Sequence, residues 1–299
     1  MKRLLKGNSP LQKKLRYHGN TLLFLSPWLG VFFVFSLFPI VYSFYLSFTR
    51  FRPTGTKPPS WVGLHNYSKL MGDHHFLNAL WNSFYFVIGT VPAIMIIATF
   101  LAVILNNKLR FRTFYRVSYF MPVVTSVFVI ATIFLELYAP YGLINKTLEL
   151  FGLTGKHWLR DVDWALESIM LMNIWSSFGF YTLMILAGLQ GIPREYYEAS
   201  SLEGASATRQ FFTITLPLLK PTLLVATLID TILAFQVFGE MFIMTKGGPL
   251  RSTESAVYYL YNIAFHKQRM GYGSAAAYVI FLILLLFSLF QVWLMRSKK

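Results

Sequence analysis

The chain lacks cysteine and is poor in charged residues. Without cysteine, its 299 residues cannot form disulfides or carry thiol chemistry, and the redox compartment cannot be inferred. Charged residues make up 13% of the sequence, whereas a soluble domain carries about twice that fraction. Hydrophobic residues make up 55%. This composition excludes an ordinary soluble domain and predicts an integral membrane protein.

The usual signatures of catalysis are also missing. No glycine-rich phosphate loop of the G-x-x-x-x-G-K-[ST] type is present, so we do not expect the chain to bind ATP by that route. The sequence contains no H-E-x-x-H, no G-x-S-x-G and no Cys/His cluster. His157, Asp161 and Asp163 are the nearest approach to an active site, and no second cluster accompanies them. We therefore expect no catalytic residue, no metal site and no cofactor in this chain.

Long apolar stretches define the architecture. A membrane-spanning helix needs about 20 apolar residues, and six stretches qualify, the first with expected breaks at Pro27 and Pro39. The fold predicted is an all-α membrane protein with six transmembrane helices. The spans are about Leu22 to Phe48, Phe84 to Leu105, Val117 to Tyr138, Ser168 to Leu189, Pro217 to Met244 and Ser274 to Met295.

The distribution of Lys and Arg predicts the orientation of these spans. The net charge is +15, and the basic residues lie beside apolar stretches, as membrane-flanking charge does. Basic residues crowd residues 1–20, the connection after the second span, and the last four residues, whereas residues 146–163 carry both signs. We therefore expect a basic cytoplasmic segment over 1–20, a membrane domain over 21–299, and both termini in the cytoplasm.

A polar stretch from Pro193 to Pro217 separates the fourth and fifth spans. Pro193 suits a first helical turn, where Glu195 and Glu198 would meet the positive end of the helix dipole. Tyr196, Ala199 and Leu202 recur at helical spacing and predict an apolar stripe.

A second helix is expected after a turn. Gly204 permits a backbone conformation that other residues resist, and Ser206 can cap a short helix from Ala207 to Phe212. The stretch thus predicts a helical hairpin on the cytoplasmic side. From composition alone, an amphipathic linker explains it equally well.

The spacing within this hairpin resembles a known motif. Glu198-Ala199-Ser200, three residues, Gly204, nine residues and then Ile214-Thr215-Leu216-Pro217 resemble the EAA loop of permease subunits of ATP-binding-cassette (ABC) importers. Ser200 stands where Ala is usual, and Glu203 where Asp is usual. In that family the loop forms coupling helices that dock into a separate ATPase. The resemblance implies that Glu198, Ala199, Ser200, Glu203, Gly204 and Ala205 form the docking surface.

Two further segments resemble the carbohydrate branch of that family. Trp61 to Tyr67, WVGLHNY, resembles an element that follows the first helix in sugar-type permeases. After the fifth span, Thr245-Lys246-Gly247-Gly248-Pro249 and the Tyr-rich run beyond it resemble a second such element. Gly247, Gly248 and Pro249 predict a tight turn in this outer loop.

The resemblance implies the type I ABC importer (MetI-like) fold and a role as a transmembrane subunit in carbohydrate import. The chain would be a multi-pass permease in a bacterial or archaeal cytoplasmic membrane. It would move a sugar by alternating access, and the sugar expected is an oligosaccharide. The implied partners are a second, different permease, two ATPase subunits that carry ATP-Mg, and an extracytoplasmic solute-binding protein.

Polar side chains inside the spans are candidates for the substrate pathway, because burying them in lipid is costly. Amides, hydroxyls and aromatic rings suit sugar recognition, although such groups also hydrogen-bond between helices. The candidates are Asn173, Ser177 and Tyr181 in the fourth span and Asp230, Gln236 and Glu240 in the fifth. Gln236 and Glu240 are expected to share one helix face.

Two other classes of protein compete with this interpretation. An ion-gradient-driven secondary sugar carrier would often show inverted internal repeats, and none is evident. A membrane enzyme would need a catalytic constellation beyond His157, Asp161 and Asp163. The identity of the sugar is open, from monosaccharide and polyol to oligosaccharide and glycerol phosphate.

Overall fold

The computed structural model describes residues 23–55, 57–106 and 111–295. Apart from one antiparallel pair of strands, β1 (Thr49–Arg50) and β2 (Ser60–Trp61), the regular elements in these ranges are helices. The predicted basic segment over 1–20, Lys108, Arg110 and the C-terminal residues 296–299 lie outside them. The helices are α1 (Leu23–Ser47), α2 (His65–Met71), α3 (His74–Asn106), α4 (Arg112–Val124), α5 (Val127–Leu137), α6 (Leu143–Leu150), α7 (Val162–Gln190), α8 (Glu195–Leu202), α9 (Ala207–Gln210), α10 (Leu216–Phe235), α11 (Gly239–Met244), α12 (Ala256–Tyr261) and α13 (Met270–Met295).

Within the described residues, five helical spans are long and apolar enough to cross a membrane. They are α1, α3, α7, the unit formed by α9 to α11, and α13, and the bent pair α4–α5 makes a sixth. The six predicted spans are confirmed. The helices extend beyond the apolar stretches, so that α3 begins at His74 rather than Phe84, because a helix continues past the membrane wherever it still packs on its neighbours.

The third span is broken, contrary to the uninterrupted helix that its apolar sequence predicts. The segments Phe114–Val124 and Val127–Leu137 meet at 97°. Between them Thr125 is extended, with φ −87° and ψ 138°. Pro122 stands in the last turn of α4, where it removes a backbone donor and clashes with the preceding turn. A break at this depth of a membrane protein is tolerated where the backbone is buried in protein or lines a cavity.

The first span is continuous, so the expected breaks at Pro27 and Pro39 are wrong. A π turn over Phe33–Leu37 ends two residues before Pro39, and the Phe38 N–H bonds to the carbonyl of Phe33. A second π turn, Phe211–Thr215, ends two residues before Pro217. The wider turn gives the proline ring room against the preceding carbonyls, so the helix continues through it.

The centre of the molecule is the packing of α3 against α7, with α10 against both and α13 against α10 and α1. Phe76, Phe86, Ile169, Met172 and Met241 are fully buried there. At Gly179 in α7, a Cβ would lie 1.9 Å from the carbonyl oxygen of Tyr119 in α4. This backbone contact leaves no room for a side chain, as is common where membrane helices pack closely.

The connections between spans alternate between two faces. One, the hairpin face, carries residues 191–206 and the adjoining ends of α3 and α7. The other, the loop face, carries residues 48–73, 138–161 and 245–269. Hydrogen bonds tie its segments to the adjoining helices, from Asn82 Nδ2 in α3 to the Arg251 carbonyl at 2.9 Å and from the Gly271 N–H in α13 to the Phe51 carbonyl at 3.3 Å.

Candidate functional site

The first arm of the hairpin, α8, leaves its apolar stripe uncovered. No residue of α8 is buried. Ala199 is exposed, Tyr196 is 54% exposed and Leu202 is 92% exposed. Glu195 and Glu198 lie in the first helical turn, as predicted. A stripe of this kind, beside carboxylates and without a covering element in the described chain, is a surface on which another protein can dock.

The turn of the hairpin depends on Gly204. Its φ is +77°, a left-handed conformation that favours glycine. The Gly204 N–H bonds to the Ser201 carbonyl and the Ala205 N–H to the Ser200 carbonyl, both at 3.0 Å. These two bonds form a Schellman motif, which satisfies the last carbonyls of α8. The predicted glycine turn is confirmed, and Ala205, Glu203 and Ser200 lie around it.

The second arm is continuous with the fifth span. Ser206 caps α9, its Oγ accepting a hydrogen bond from the Arg209 N–H at 3.4 Å, as predicted. The helix does not stop at Phe212, so that predicted boundary is wrong. It passes through the π turn at Phe211–Thr215 directly into α10. Any displacement of the hairpin is therefore carried into the fifth span without a flexible joint.

Gln210 holds the two arms together, a role that the sequence reasoning missed. Its Nε2 donates to Ser200 Oγ at 2.9 Å, to Ser201 Oγ at 2.8 Å and to the Tyr197 carbonyl at 3.3 Å. The Tyr197 hydroxyl also lies 2.9 Å from Thr215 Oγ1. Tyr197, Ser200 and Ser201 recur at helical spacing on the face opposite the exposed stripe, a periodicity that the sequence already contained.

The break in the third span opens a cavity of about 320 Å³. It lies between α4, α5, α7 and the fifth span, and its lining includes Thr125, Ser176, Ser177, Phe180, Tyr181 and Glu240. Three of the six predicted pathway residues, Ser177, Tyr181 and Glu240, thus border one cavity. Hydroxyls, a carboxylate and an aromatic ring are groups that can recognise a polyhydroxylated solute.

Asn173 and Asp230, two of the remaining predicted pathway residues, face polar side chains of neighbouring helices. Asn173 Nδ2 donates to Glu240 Oε1 at 3.2 Å, which joins α7 to α11. The Tyr181 hydroxyl lies near the Asp230 carboxylate, which brings polar groups of α7 and α10 together. Asp230 is 3% exposed. These contacts are of the interhelical kind that the sequence allowed as the alternative, and contact between any of these residues and a sugar stays a prediction.

Gln236 does not share a helix face with Glu240, so that expectation is wrong. The helix α10 ends at Phe235 and α11 begins at Gly239. The non-helical residues between them place Gln236 at an exposed turn, outside the lining of the cavity. Four-residue spacing implies a common face where the helix is continuous, and the interruption removes that condition.

The loop face contains the predicted tight turn. Gly247 has φ +80°, and Thr253 Oγ1 donates to the Gly248 carbonyl at 2.8 Å. Gly248 and Pro249 border a cavity of about 500 Å³ that Tyr138 and Trp158 also line. Leu250, at the tip, is 90% exposed. The turn is confirmed, and its contact with another protein stays a prediction.

Asp73 ties the loop face to the helix ends. Its carboxylate accepts hydrogen bonds from the hydroxyls of Tyr259 at 2.7 Å and Tyr272 at 3.0 Å, and from the N–H groups of His75 and Phe76. Burial alone would raise the pKa of Asp73, but these four donors together lower it below its ordinary value. Burial, followed by the bond to Asp73, raises the pKa of Tyr259.

Acidic and histidine side chains do not gather into a metal site in the described part of the chain, where no group of three or more could hold an ion. Asp161 instead caps α7, accepting a hydrogen bond from the Asp163 N–H at 3.0 Å.

A multi-pass helical membrane protein, with a polar cavity at a broken span and a protruding helical hairpin on one face, belongs to the class of solute transport components. The chain is a member of a defined family within that class: it belongs to the binding-protein-dependent transport system inner membrane components, whose pattern matches residues 71–299.

Individual relatives agree with this membership. The chain is 37% identical to the probable ABC transporter permease protein YurN of Bacillus subtilis over 285 residues, covering 93% of this chain and 96% of YurN. It is 34% identical to the lactose transport system permease protein LacF of Rhizobium radiobacter over 292 residues, covering 96% of this chain and 97% of LacF.

Solved structures share the fold. A chain of a bacterial ABC transporter that imports the acidic polysaccharide alginate gives a TM-score of 0.83 at 21% identity, covering 97% of this chain and 99% of that chain. A chain of the bacterial alginate ABC transporter in complex with alginate pentasaccharide-bound periplasmic protein gives a TM-score of 0.82 at 19% identity, covering 95% of this chain and 96% of that chain. The predicted type I importer fold is confirmed.

Proposed function

We propose that the chain is the permease subunit of an ATP-driven importer that moves a sugar, specifically an oligosaccharide, across the cytoplasmic membrane. The family membership and the lactose-transporting relative support this proposal. The observation that carries it is one helical unit with two functional ends. At one end, α9 completes the exposed hairpin, and at the other Leu233 and Glu240 border the mid-span cavity.

The proposed partners follow from the surfaces left open. The stripe of Tyr196, Ala199 and Leu202 would enter a groove on an ATPase subunit, with Glu198, Ser200, Glu203, Gly204 and Ala205 around it. Two such ATPases would carry ATP-Mg, because the sequence contains no phosphate loop of the G-x-x-x-x-G-K-[ST] type. A second, different permease would complete the pathway.

The orientation follows from the same docking. ATP is cytoplasmic, so the hairpin face and both termini would lie in the cytoplasm, as the Lys/Arg bias predicts. An extracytoplasmic solute-binding protein would then deliver the sugar to the loop face, where Gly247, Gly248 and Pro249 present the exposed Leu250.

Alternating access would use the two interruptions beside the cavity. The third span lacks helical bonds around Thr125, and the fifth lacks them between Phe235 and Gly239. Such interruptions absorb changes in backbone angle while the helices move as rigid bodies. ATP-driven closure of the ATPases would displace the hairpin and, through the continuous helix, open or close the cavity.

Sugar recognition would use the polar groups that converge on this cavity. Ser177, Tyr181 and Glu240 offer hydrogen bonds to hydroxyl groups, and Phe180 offers a flat apolar face to a pyranose ring. Asn173 would support them through its bond to Glu240, and Asp230 through its carboxylate beside Tyr181. Gln236, exposed at the turn, would meet the solute only at the edge of this site.

Two exposed leucines on opposite faces provide a matched test. Leu202 is 92% exposed on the hairpin and Leu250 is 90% exposed on the loop face. The Leu202→Arg and Leu250→Arg variants would be tagged, extracted gently from the membrane and analysed for co-purifying subunits. We expect Leu202→Arg to lose the ATPase and keep the second permease, whereas Leu250→Arg keeps the ATPase and weakens stimulation of ATP hydrolysis by the binding protein.

Two outcomes would overturn the proposal. Retention of the ATPase by Leu202→Arg together with Glu198→Lys would remove the docking role of the hairpin. Purification of the wild-type chain alone, with solute uptake in proteoliposomes driven by an ion gradient, would favour the secondary carrier instead.

A further inference from the structure

A strongly basic pocket of about 250 Å³ lies on the loop face, between the end of the first span and the start of the last. Arg50 and Arg52 approach it from the extended chain after α1, and His65 and Lys69 from one face of α2. Arg269, just before α13, completes it. All five side chains are exposed, so a ligand can reach the four charged ends and the imidazole of His65.

The described chain does not neutralise this charge. Within the described residues the ion pair formed is Arg251 with Glu254, away from the pocket. Asp73 is the first acidic residue of the whole sequence and Glu254 is the last, so the segments that build the pocket contain no other carboxylate. The carboxylate of Asp73 already accepts four hydrogen bonds and is not free to pair with the arginines.

The backbone that carries the basic residues is fixed by hydrogen bonds. Asn66 Nδ2 donates to the carbonyls of Ser47 at 2.8 Å and Thr49 at 2.9 Å. The Gly271 N–H bonds to the Phe51 carbonyl at 3.3 Å, and the Thr54 hydroxyl bonds to the side chain of Gln268. The three segments therefore converge without a ligand, so an anion would bind to a preorganised frame.

The position of the pocket identifies the source of the anion. An aromatic group surrounds the end of α1, where Phe48 and Trp61 stack at 5.5 Å and Tyr45 and Tyr67 lie beside them. Trp61 is 66% exposed, as is usual for an aromatic belt at the level of the lipid headgroups. Beside such a belt, the pocket would lie near the level of the phospholipid phosphates, next to the exposed first span.

We propose that this basic pocket binds the phosphate group of an anionic phospholipid in the leaflet on the loop face. Arginine guanidinium groups pair bidentately with phosphate oxygens, and lysine adds a point charge. Bound there, the lipid headgroup supplies the counter-charge that the chain itself lacks and joins the first span to the last. The pocket is separate from both the hairpin and the mid-span cavity, so it serves neither ATPase docking nor sugar passage.

Counting retained lipid tests this proposal. The tagged chain, with its co-purifying subunits, would be placed in nanodiscs of phosphatidylglycerol and phosphatidylcholine, and native mass spectrometry would count the phosphatidylglycerol molecules retained on release. The Arg52→Gln/Arg269→Gln variant would be compared with Lys57→Gln/Lys146→Gln, which removes the same charge from exposed sites outside the pocket. We expect the pocket variant to lose one lipid per copy of the chain, with affinity lowered roughly tenfold or more, and the control to match wild type.

Three results would overturn the proposal. The first is equal phosphatidylglycerol retention in the pocket variant and the control. The second is displacement of the lipid by inorganic phosphate with unchanged stability, which would make the pocket a site for small anions. The third is unchanged lipid retention with weaker binding of the solute-binding protein, which would assign the pocket to an acidic protein surface. Lys69→Gln alone is the second variant, should the double variant fail to assemble.

Discussion

The hairpin and the loop after the fifth span join opposite ends of the same helical unit, yet they are held in opposite ways. In the loop, Thr253 and Ser255 are fully buried and Glu254 is 6% exposed. In the hairpin helix α8, no residue is buried. The loop is stabilised by tertiary contacts, whereas the hairpin is stabilised by its own turn and by Gln210. The docking role that we propose for the hairpin requires its surface to stay uncovered, and the hairpin meets that condition because its own turn and Gln210 hold it.

The loop shows how polar groups can be buried without penalty. Ser255 Oγ donates to the Val237 carbonyl at 2.6 Å and accepts from the Tyr258 N–H at 3.1 Å. Asn82, in α3, donates to the carbonyls of Arg251 and Glu254. Ser255 and Asn82 are thus both paired with loop groups, so removal of either partner should be costly here and much less so in the hairpin.

The largest loss of folding stability is expected when Asn82 is replaced. Asn82→Ala removes the side-chain donor to the buried Glu254 carbonyl and one of the two donors to the Arg251 carbonyl, and we expect it to lower the free energy of unfolding by about 2–3 kcal/mol. The thermal midpoint in detergent would measure this loss. Asn78→Ala is the control, because Asn78 is exposed and donates to the Arg251 carbonyl at 3.2 Å. Equal midpoints in the two variants would contradict the contrast between buried and exposed donors.

Two glycines with left-handed backbone angles, one in each region, allow the effect of the same substitution on stability to be compared directly. Gly204 in the hairpin has φ +77°, Gly63 on the loop face has φ +57°, and neither would bring a Cβ within 4 Å of another atom. Alanine at either position should cost about 1–2 kcal/mol in backbone strain alone. We expect Gly63→Ala to lower the thermal midpoint and Gly204→Ala to raise amide exchange of 195–206 without changing the midpoint. A lowered midpoint in Gly204→Ala would show that the hairpin unfolds with the core.

Replacement of Gln210 should lower the local stability of the hairpin without changing that of the loop. Gln210→Met keeps the length of the side chain but removes the donor to Ser200 and Ser201. A net loss of about 1 kcal/mol corresponds to roughly fivefold faster local exchange of α8 amides. Hydrogen exchange read by mass spectrometry would detect it, with the peptides of 245–261 as the internal reference. A uniform change in both regions would argue against local attachment.

Asp73 gives the loop face a dependence on pH. Its pKa in the folded state lies below the ordinary value, so the ionised carboxylate stabilises the fold fully above the unfolded pKa. That contribution is lost as the pH falls through the folded pKa. We expect the thermal midpoints of wild type and Asp73→Asn to differ most near neutral pH and to converge toward about pH 3. A constant difference across the titration would assign the effect to packing instead of charge.

The smallest effect on stability is expected at the exposed stripe. Leu202→Ala removes a side chain that is 92% exposed, so the free energy of unfolding should change by no more than about 0.5 kcal/mol. Capture of the ATPase should nevertheless weaken, if the stripe is the docking surface. A marked loss of stability in this variant, seen in the thermal midpoint, would mean that the stripe packs within the chain.

The sequence by itself determined the membrane class, the six spans, the glycine turn at Gly204 and the cap at Ser206. These features depend on composition and local backbone preferences, which neighbouring residues already specify. The family resemblance also rested on local spacing, and the match over residues 71–299 bears it out.

Only the tertiary structure decided how the helices are interrupted and which polar groups meet. Hydropathy predicted a continuous third span and a shared face for Gln236 and Glu240, but both expectations failed where the helix is broken. Nor could spacing show that Asn173 meets Glu240, or that Arg50 and Arg269, far apart in sequence, line one pocket. A break is stable only where surrounding helices shield the freed backbone, so its energy depends on contacts distant along the chain.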